Sequence, residues 1–318
     1  MITTPECSGA TAALLHRRGR SVSLHSAPTM TTRFIITSDL HQSIWKWRDL
    51  VRVVEQEKPR FVLIAGDVLP RDGGFDGQRK FFPVLADYLG AMRGSGKTTI
   101  LTFFGNDDFH PLEPLLDDLA AKGLCVNLNG GVHREDGLVF CGMNLVRDYP
   151  FGYKHWCAPD GDFVTCREQF CGEGLTLDAE GRWVRLTNLR EYLLAKPSLR
   201  DRLESLRAQL TPDEVRRSVW LVHNPPSDLG MDICYDGRQV GSPNILRFIR
   251  EAQPLLGCSG HIHESPYQAG GRWAARVGQT VWIQPGQEDE KLHHVSLDVE
   301  GFRAIRNIRH SILGPWNV

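Results

Sequence analysis

Phe61-Val62-Leu63-Ile64-Ala65-Gly66-Asp67 is the stretch from which the fold can be read. Five consecutive apolar residues make a strand covered on both faces, because a strand with one wet face would alternate apolar and polar side chains. It ends in an acid. Upstream, a helix over about 44–57 carries the apolar stripe Trp45, Leu50, Val53 and Val54 and is stopped by Lys58-Pro59. Before that helix, Phe34-Ile35-Ile36 forms a shorter strand that runs into Thr37-Ser38-Asp39-Leu40-His41. Downstream, a Gly-rich loop (72–77) and a helix over about 78–92 lead to the strand 99–104, which ends in Gly105-Asn106-Asp107-Asp108. Strands alternating with helices build βαβ units around a mostly parallel sheet, and such sheets hold ligands beyond the carboxyl ends of their strands. All three polar clusters lie at that end.

The same rhythm continues with interruptions. A helix over 111–122 and a short connector (123–127) precede two β segments, 131–134 and 138–143, whose Glu135-Asp136-Gly137 link signals a hairpin. From about 147 to 217 the pattern breaks into an aromatic loop (Tyr149, Phe151, Tyr153, His155, Trp156) and a helix over 186–210 interrupted at Pro197. A long irregular insertion is either a lid or binding loop or an ornament with its own small core. The rhythm resumes with the strand 218–222, ending in His223-Asn224-Pro225-Pro226, then a helix over 244–252 started by Ser242-Pro243. A strand over 255–258 delivers Ser259-Gly260-His261-Ile262-His263, and 273–277, 280–283, 293–299 and 302–308 read as antiparallel strands. Residues 91–98 fit a permissive phosphate-loop spelling, but they follow a helix and open a strand, the reverse of what that loop requires.

Bulk properties exclude several classes. With 41% hydrophobic residues, 24% charged residues and a formal net charge of −1, the 318-residue chain is globular, and a nucleic-acid partner is not favoured. No apolar run is long enough for a membrane span, so no membrane partner is expected; a cytoplasmic location is expected from the cysteine usage. Eight cysteines without regular spacing read as reduced thiols, with a structural zinc at His155, Cys157, Cys166 and Cys171 as the alternative. Residues 1–32 read as a flexible N-terminal extension, or as a start assigned upstream of Met30, ahead of one domain over 33–318.

The strand-end residues collect into one set: Asp39, His41, Asp67, Asn106, His223, His261 and His263. Alone, the histidine pair could be two surface imidazoles in a loop. Carboxylate, amide and imidazole ligands delivered from five strand ends suit borderline divalent ions such as Mn, Fe, Zn, Ni or Co, Mn being the expected choice in vitro. Seven exceed the needs of one tetrahedral site and fit two ions sharing a carboxylate.

Asp39-Leu40-His41, Gly66-Asp67, Gly105-Asn106-Asp107-Asp108, His223 and Gly260-His261-Ile262-His263, in this order over about 33–285, resemble the calcineurin-like metallophosphoesterase superfamily. The stretch 240–264 with Ile283-Gln284-Pro285-Gly286 is further similar to a stand-alone prokaryotic branch, which usually has Asn where Gln284 stands. The resemblance implies an α/β fold, a four-layer α/β/β/α sandwich with two mixed sheets. It implies that Asp39, His41, Asp67 and His263 hold one metal, and that Asp67, Asn106, His223 and His261 hold the second, with Asp67 bridging. It also implies a dinuclear metal-dependent phosphomonoesterase or phosphodiesterase in which a metal-bridging hydroxide attacks phosphorus in line.

One departure bears on mechanism. Many members carry His where this chain has Asp107, paired with an Asp where it has Pro70. Either the leaving group needs little protonation, or another residue supplies the proton, His110 being nearest in sequence. A non-catalytic scaffold on the same fold is the rival reading; it should have lost ligands, and none is missing. The substrate, expected to be a small phosphoester, is set by loops, and so is not legible in the ligand set. Aromatics of 149–156 could stack on a base or phenyl ring or could pack the insertion onto the domain, and Arg147, Lys154 or Arg238 could meet phosphate oxygens.

Overall fold

The computed structural model describes residues 30–41, 43–94, 96–147, 152–161, 174–288 and 290–316. The chain opens with β1 (Thr31–Thr37), α1 (Ile44–Glu57), β2 (Phe61–Ile64), α2 (Gly74–Gly94), β3 (Thr99–Thr102), α3 (Glu113–Ala121) and β4 (Val126–Asn127). It continues through β5 (Val132–Glu135), β6 (Leu138–Met143), β7 (Val146–Arg147), β8 (Cys157–Ala158), β9 (Gly174–Leu177) and β10 (Trp183–Leu186). Next come α4 (Leu189–Leu194), α5 (Leu199–Arg207), α6 (Pro212–Arg216), β11 (Ser218–Val222), α7 (Pro243–Ala252) and β12 (Leu256–Cys258). It closes with β13 (Ala274–Val277), β14 (Thr280–Ile283), β15 (Val295–Glu300), β16 (Ala304–His310) and β17 (Gly314–Pro315).

Two large mixed sheets result. One has the order β17-β16-β15-β1-β2-β3-β4, the other β13-β14-β12-β11-β6-β5. In the first, β1, β2, β3 and β4 are parallel, and β15 is antiparallel to β1. In the second, β6, β11, β12 and β14 are parallel, with β5 and β13 as antiparallel edges.

Period-two alternation of doubly apolar strands explains the layering. Phe34, Ile36, Phe61 and Leu63 face the second sheet, where they meet Phe140, Val219, Leu221 and Leu256. Ile35, Val62 and Ile64 face outward against Trp47, Leu50 and Val54 of α1, Leu85 and Leu89 of α2, and Leu116 of α3. On the far side, Trp220 and Val222 pack under Leu203 of α5, Val215 of α6, and Ile245 and Ile249 of α7. The arrangement is the expected α/β/β/α sandwich. Each fully buried Leu, Ile or Phe in these layers contributes about 1.5–3 kcal/mol.

Several boundaries differ from expectation. β1 begins at Thr31, two residues before 33, because Thr31 and Thr32 pair with Glu300 and Val299. The inward stripe of α1 is Trp47, Leu50 and Val54, while Trp45 is 61% exposed; spacing of three and four residues selects Trp47 instead. The connector 123–127 ends in the edge strand β4, and Leu186 closes β10 rather than opening a helix. The break at Pro197 separates α4 from α5, and α5 joins the outer layer instead of an ornament. Most of the N-terminal extension, together with Tyr149, Phe151, Cys166 and Cys171, lies outside the described residues. Among the described residues, no helix is long and apolar enough to cross a membrane.

Candidate metal centre

Asp39 and His41 follow β1, Asp67 follows β2, Asn106 follows β3, His223 follows β11, and His261 and His263 follow β12. Both sheets therefore present their carboxyl edges to one place. The turns carrying these side chains are tight. Asp39 (φ 53°), His41 (φ 46°), Asp67 (φ 53°) and His261 (φ 72°) all adopt the left-handed region, which costs non-glycine residues energy unless the surroundings enforce it. Backbone hydrogen bonds enforce it here: Asp39 N–H donates to Gly66 O (3.0 Å) and His41 N–H to Asp67 O (2.9 Å).

The motif glycines are required by proximity. A Cβ on Gly105 would lie 2.2 Å from Asp67 Oδ1, and one on Gly66 would lie 2.5 Å from His223 Nδ1. A Cβ on Gly260 would lie 2.8 Å from Asp39 Oδ2.

Side-chain contacts knit the set together. Asp39 Oδ1 accepts from His261 N–H (2.9 Å), and Asp67 Oδ1 accepts from Asp107 N–H (2.9 Å). Asp67 Oδ2 faces His223 Nε2 at 3.5 Å and His41 Nε2 at 4.0 Å. The rings of His41 and His263 meet edge-on with centroids 6.4 Å apart, and those of His223 and His261 are 5.2 Å apart. Ligand atoms of Asp39, His41 and Asp67 fall within 4.8 Å of one another.

The donor chemistry fits a cation. His223 Nδ1 donates to Ala65 O (2.7 Å), leaving Nε2 pointed at Asn106 Oδ1, 3.0 Å away. Asn106 Nδ2 donates to Asp107 Oδ1 (2.8 Å), which fixes the amide with its oxygen towards both His223 and His261 Nδ1. Two imidazole nitrogens thus meet one amide oxygen, a nitrogen and oxygen donor set of the kind that holds a divalent cation when the imidazoles are neutral. Asp39 Oδ2 and both ring nitrogens of His41 are buried without hydrogen bonds.

Burial sets the electrostatics. It raises the Asp39 carboxyl, with the neighbouring Asp67 adding to the effect, and it lowers His41 to about 3 and His261 below the usual range, leaving both imidazoles neutral. Burial also opposes charge on His223, but Asp67 and Asp39 outweigh it and push that imidazole up to about 9. Asp67 is held below its usual value: burial works against its charge, and His223 more than compensates.

The other sequence candidates fall elsewhere. His110 packs against His155 (5.7 Å between centroids) and Trp156 (6.2 Å), and burial followed by Lys196 lowers its pKa. Arg147 is buried and donates to Gly241 O, Lys154 is buried, and exposed Arg238 pairs with Asp236. Tyr153 stacks on Trp183 (5.1 Å), and Trp156 Nε1 donates to Asp108 O (2.7 Å), so these aromatics pack the insertion onto the domain. Cys157 hydrogen-bonds to carbonyls of Arg147 and Tyr153, and His155 belongs to the aromatic cluster.

Three further residues acquire a role around these side chains. Buried Asp108 accepts from the N–H groups of Val68 (3.0 Å), Leu69 (2.7 Å) and Gly105 (2.8 Å), tying the loop after β2 to the loop after β3. Arg71 forms an ion pair with Asp107 (2.7 Å). Gln284 donates to the carbonyls of Gly260 (2.6 Å) and Ile262 (3.1 Å), bracing the histidine turn from β14. Gln284 was visible in the sequence as a departure from a motif; neither Asp108 nor Arg71 carried a signal separable from its polar neighbours.

A family model described as calcineurin-like phosphoesterase matches residues 32–265. The chain belongs to the calcineurin-like phosphoesterase family. Membership makes it a metal-dependent phosphoesterase in class, and Asp39, His41 and Asp67 form a group that could hold a metal ion. Solved structures agree in fold. One crystal structure matches with a TM-score of 0.56 at 17% identity, covering 87% of this chain and 98% of its own. The TT1561 protein of Thermus thermophilus matches with a TM-score of 0.53 at 13% identity, covering 87% and 98%. A dimetal phosphatase from Danio rerio matches with a TM-score of 0.51 at 13% identity, covering 86% and 98%. No curated protein matches this calcineurin-like phosphoesterase.

Proposed function

We propose that this chain hydrolyses small phosphoesters with two divalent cations, one held by Asp39, His41, Asp67 and His263, the other by Asp67, Asn106, His223 and His261. The observation that carries the reading is the position of Asp67: one carboxylate oxygen faces both His41 and His223, which belong to the two different ligand groups. Bound divalent ions supply Lewis acidity and activate water for attack on phosphorus. The chain's own residues do the rest. Asp39 and Asp67 provide the negative charge that retains the cations, and Asn106 is oriented by Asp107 so that its oxygen serves as a ligand.

At the same edge, Arg71 replaces in charge what the absent His and Asp would have supplied. Its guanidinium, steadied by Asp107 and about half exposed, is available to phosphoryl oxygens, which Arg binds through paired N–H groups. On this reading no histidine protonates the leaving group, so esters of acidic alcohols and phenols are the better substrates.

Metal analysis of the purified protein, combined with hydrolysis of p-nitrophenyl monoesters, diesters and cyclic nucleotides in Mn, tests the proposal. Asp67→Asn and His223→Ala are expected to lower both metal content and kcat/KM, by at least about a hundredfold in the latter. Unchanged hydrolysis in both variants would sink the mechanism. A protein that binds no metal and cleaves none of these esters would favour a scaffold. His110→Ala is expected to leave activity within about threefold of wild type, because a true proton donor would cost about 10²-fold or more.

A further inference from the structure

At the opposite end of the sheets, two adjoining clefts of about 840 and 270 Å³ share Leu255, Gln279 and Arg303. Leu255 precedes β12, Gln279 precedes β14, and Arg217, also on the wall, precedes β11. These are the amino ends of the parallel strands whose carboxyl ends carry the metal centre, so the length of β11, roughly 16 Å, separates the two places.

The lining is strongly basic. Arg216, Arg217 and Arg303 line the larger cleft and Arg276, Arg303 and Arg306 the smaller, whereas Asp213 is the acid among the lining residues. Five guanidinium groups against one carboxylate is a marked local excess in a chain of net charge −1. The counter-charges are weakly engaged: Asp213 sits 3.4 Å from Arg216 and 3.3 Å from Arg217, and Glu300 sits 3.6 Å from Arg306. Ion pairs this exposed contribute little and exchange readily for a better anion. Arg276 is braced over the Trp316 ring at 5.8 Å.

All the cations are arginines, none lysine, and they come from four separate places: the end of α6, β13, the turn after β15, and β16. Guanidinium groups bind phosphate in a paired geometry, and three lining each of two adjoining clefts, with Arg303 common to both, match a ligand with several phosphates. The volumes suit a small molecule rather than a single ion. We infer that this arginine cleft is a second ligand site, separate from the metal centre, for a small polyphosphorylated molecule such as a nucleoside triphosphate.

Calorimetric titration of the full chain in EDTA with sodium triphosphate, ATP, citrate and a single-stranded oligonucleotide tests this. The expected result is saturable one-to-one binding of triphosphate and ATP, weakened at least about tenfold by the double substitution R276E/R303E. Thermal unfolding of that variant should match wild type, since both side chains are exposed, and its Mn-dependent hydrolysis of p-nitrophenyl esters should stay within about twofold. Four results would overturn the inference: no saturable binding, binding untouched by R276E/R303E, citrate binding as tightly as triphosphate, or the oligonucleotide binding more tightly than either phosphate compound. Loss of ester hydrolysis in R276E/R303E would overturn the independence of the two sites.

Discussion

Gly105 has its Cα hydrogen directed at Asp67, and there is no room for anything larger. Gly105→Ala would press a methyl group on both the carboxylate and the backbone nitrogen of Asp67, 2.5 Å away, and backbone cannot yield as a flexible side chain would. The expected outcome is a loss of metal affinity of about 10- to 100-fold, measured by titration with Mn. Gln284→Ala acts more gently through the same ligands. It removes one of the two hydrogen bonds that each of the Gly260 and Ile262 carbonyls accepts, leaving those from Ile262 N–H and Ser265 N–H; it should cost about 1–2 kcal/mol in a urea melt and loosen the turn that carries His261 and His263. Asp107→His probes the missing proton donor: it also gives up the hold on Asn106 and Arg71, which should lower both rates, so the expected gain is in the ratio of alkyl-ester to p-nitrophenyl-ester hydrolysis, by up to about 10²-fold, read from the dependence of kcat on leaving-group pKa. Proximity explains why Gly66, Gly105 and Gly260 were readable as parts of motifs, while the reason for each became visible only with its neighbour from another strand.

Among the elements, the loops after β2 and β3 behave as one unit because Asp108 holds both, and Trp156 of the insertion caps it from outside. Trp156→Phe removes the indole hydrogen bond to the Asp108 carbonyl while keeping most of the apolar contact. It should cost about 1–3 kcal/mol and leave the metal ligands in place, so the melting temperature should fall more than the metal affinity does. The strand–helix alternation from β1 to α3 was legible because doubly buried strands and amphipathic helices have different periods. Short edge elements such as β4 were not, since two residues carry no period. The choice of Trp47 over Trp45 turns on helical phase, which the positions of Leu50 and Val54 determine.

For the whole molecule, β15 returns from the second half of the chain to pair with β1, and Arg33 clamps the return by pairing with Asp298 (2.5 Å) and Glu57 (2.9 Å). Burial opposes ionisation of Asp298, but the hydrogen bonds from Arg33 and Asn307 prevail and hold its carboxyl below the usual range. A carboxyl depressed in the folded state stabilises above its unfolded pKa and loses that contribution as pH falls through its folded value. Asp298→Asn should therefore lower the urea midpoint at about pH 7, and the gap from wild type should close as pH falls below about 4. Metal should stabilise globally as well. At roughly a thousandfold excess over Kd, a bound ion adds about 4 kcal/mol, so Mn should raise the melting temperature by several degrees relative to EDTA. The sequence by itself determined the strand and helix periods, the α/β class and the seven polar residues at strand ends, because periodicity and turn chemistry are local. Only the tertiary structure decided that both sheets present those ends to one place, that Asp67 lies between two histidines, and that Arg71 pairs with Asp107. It also gathered five arginines at the far end. Those facts depend on distances between residues far apart in the chain, which no local pattern encodes.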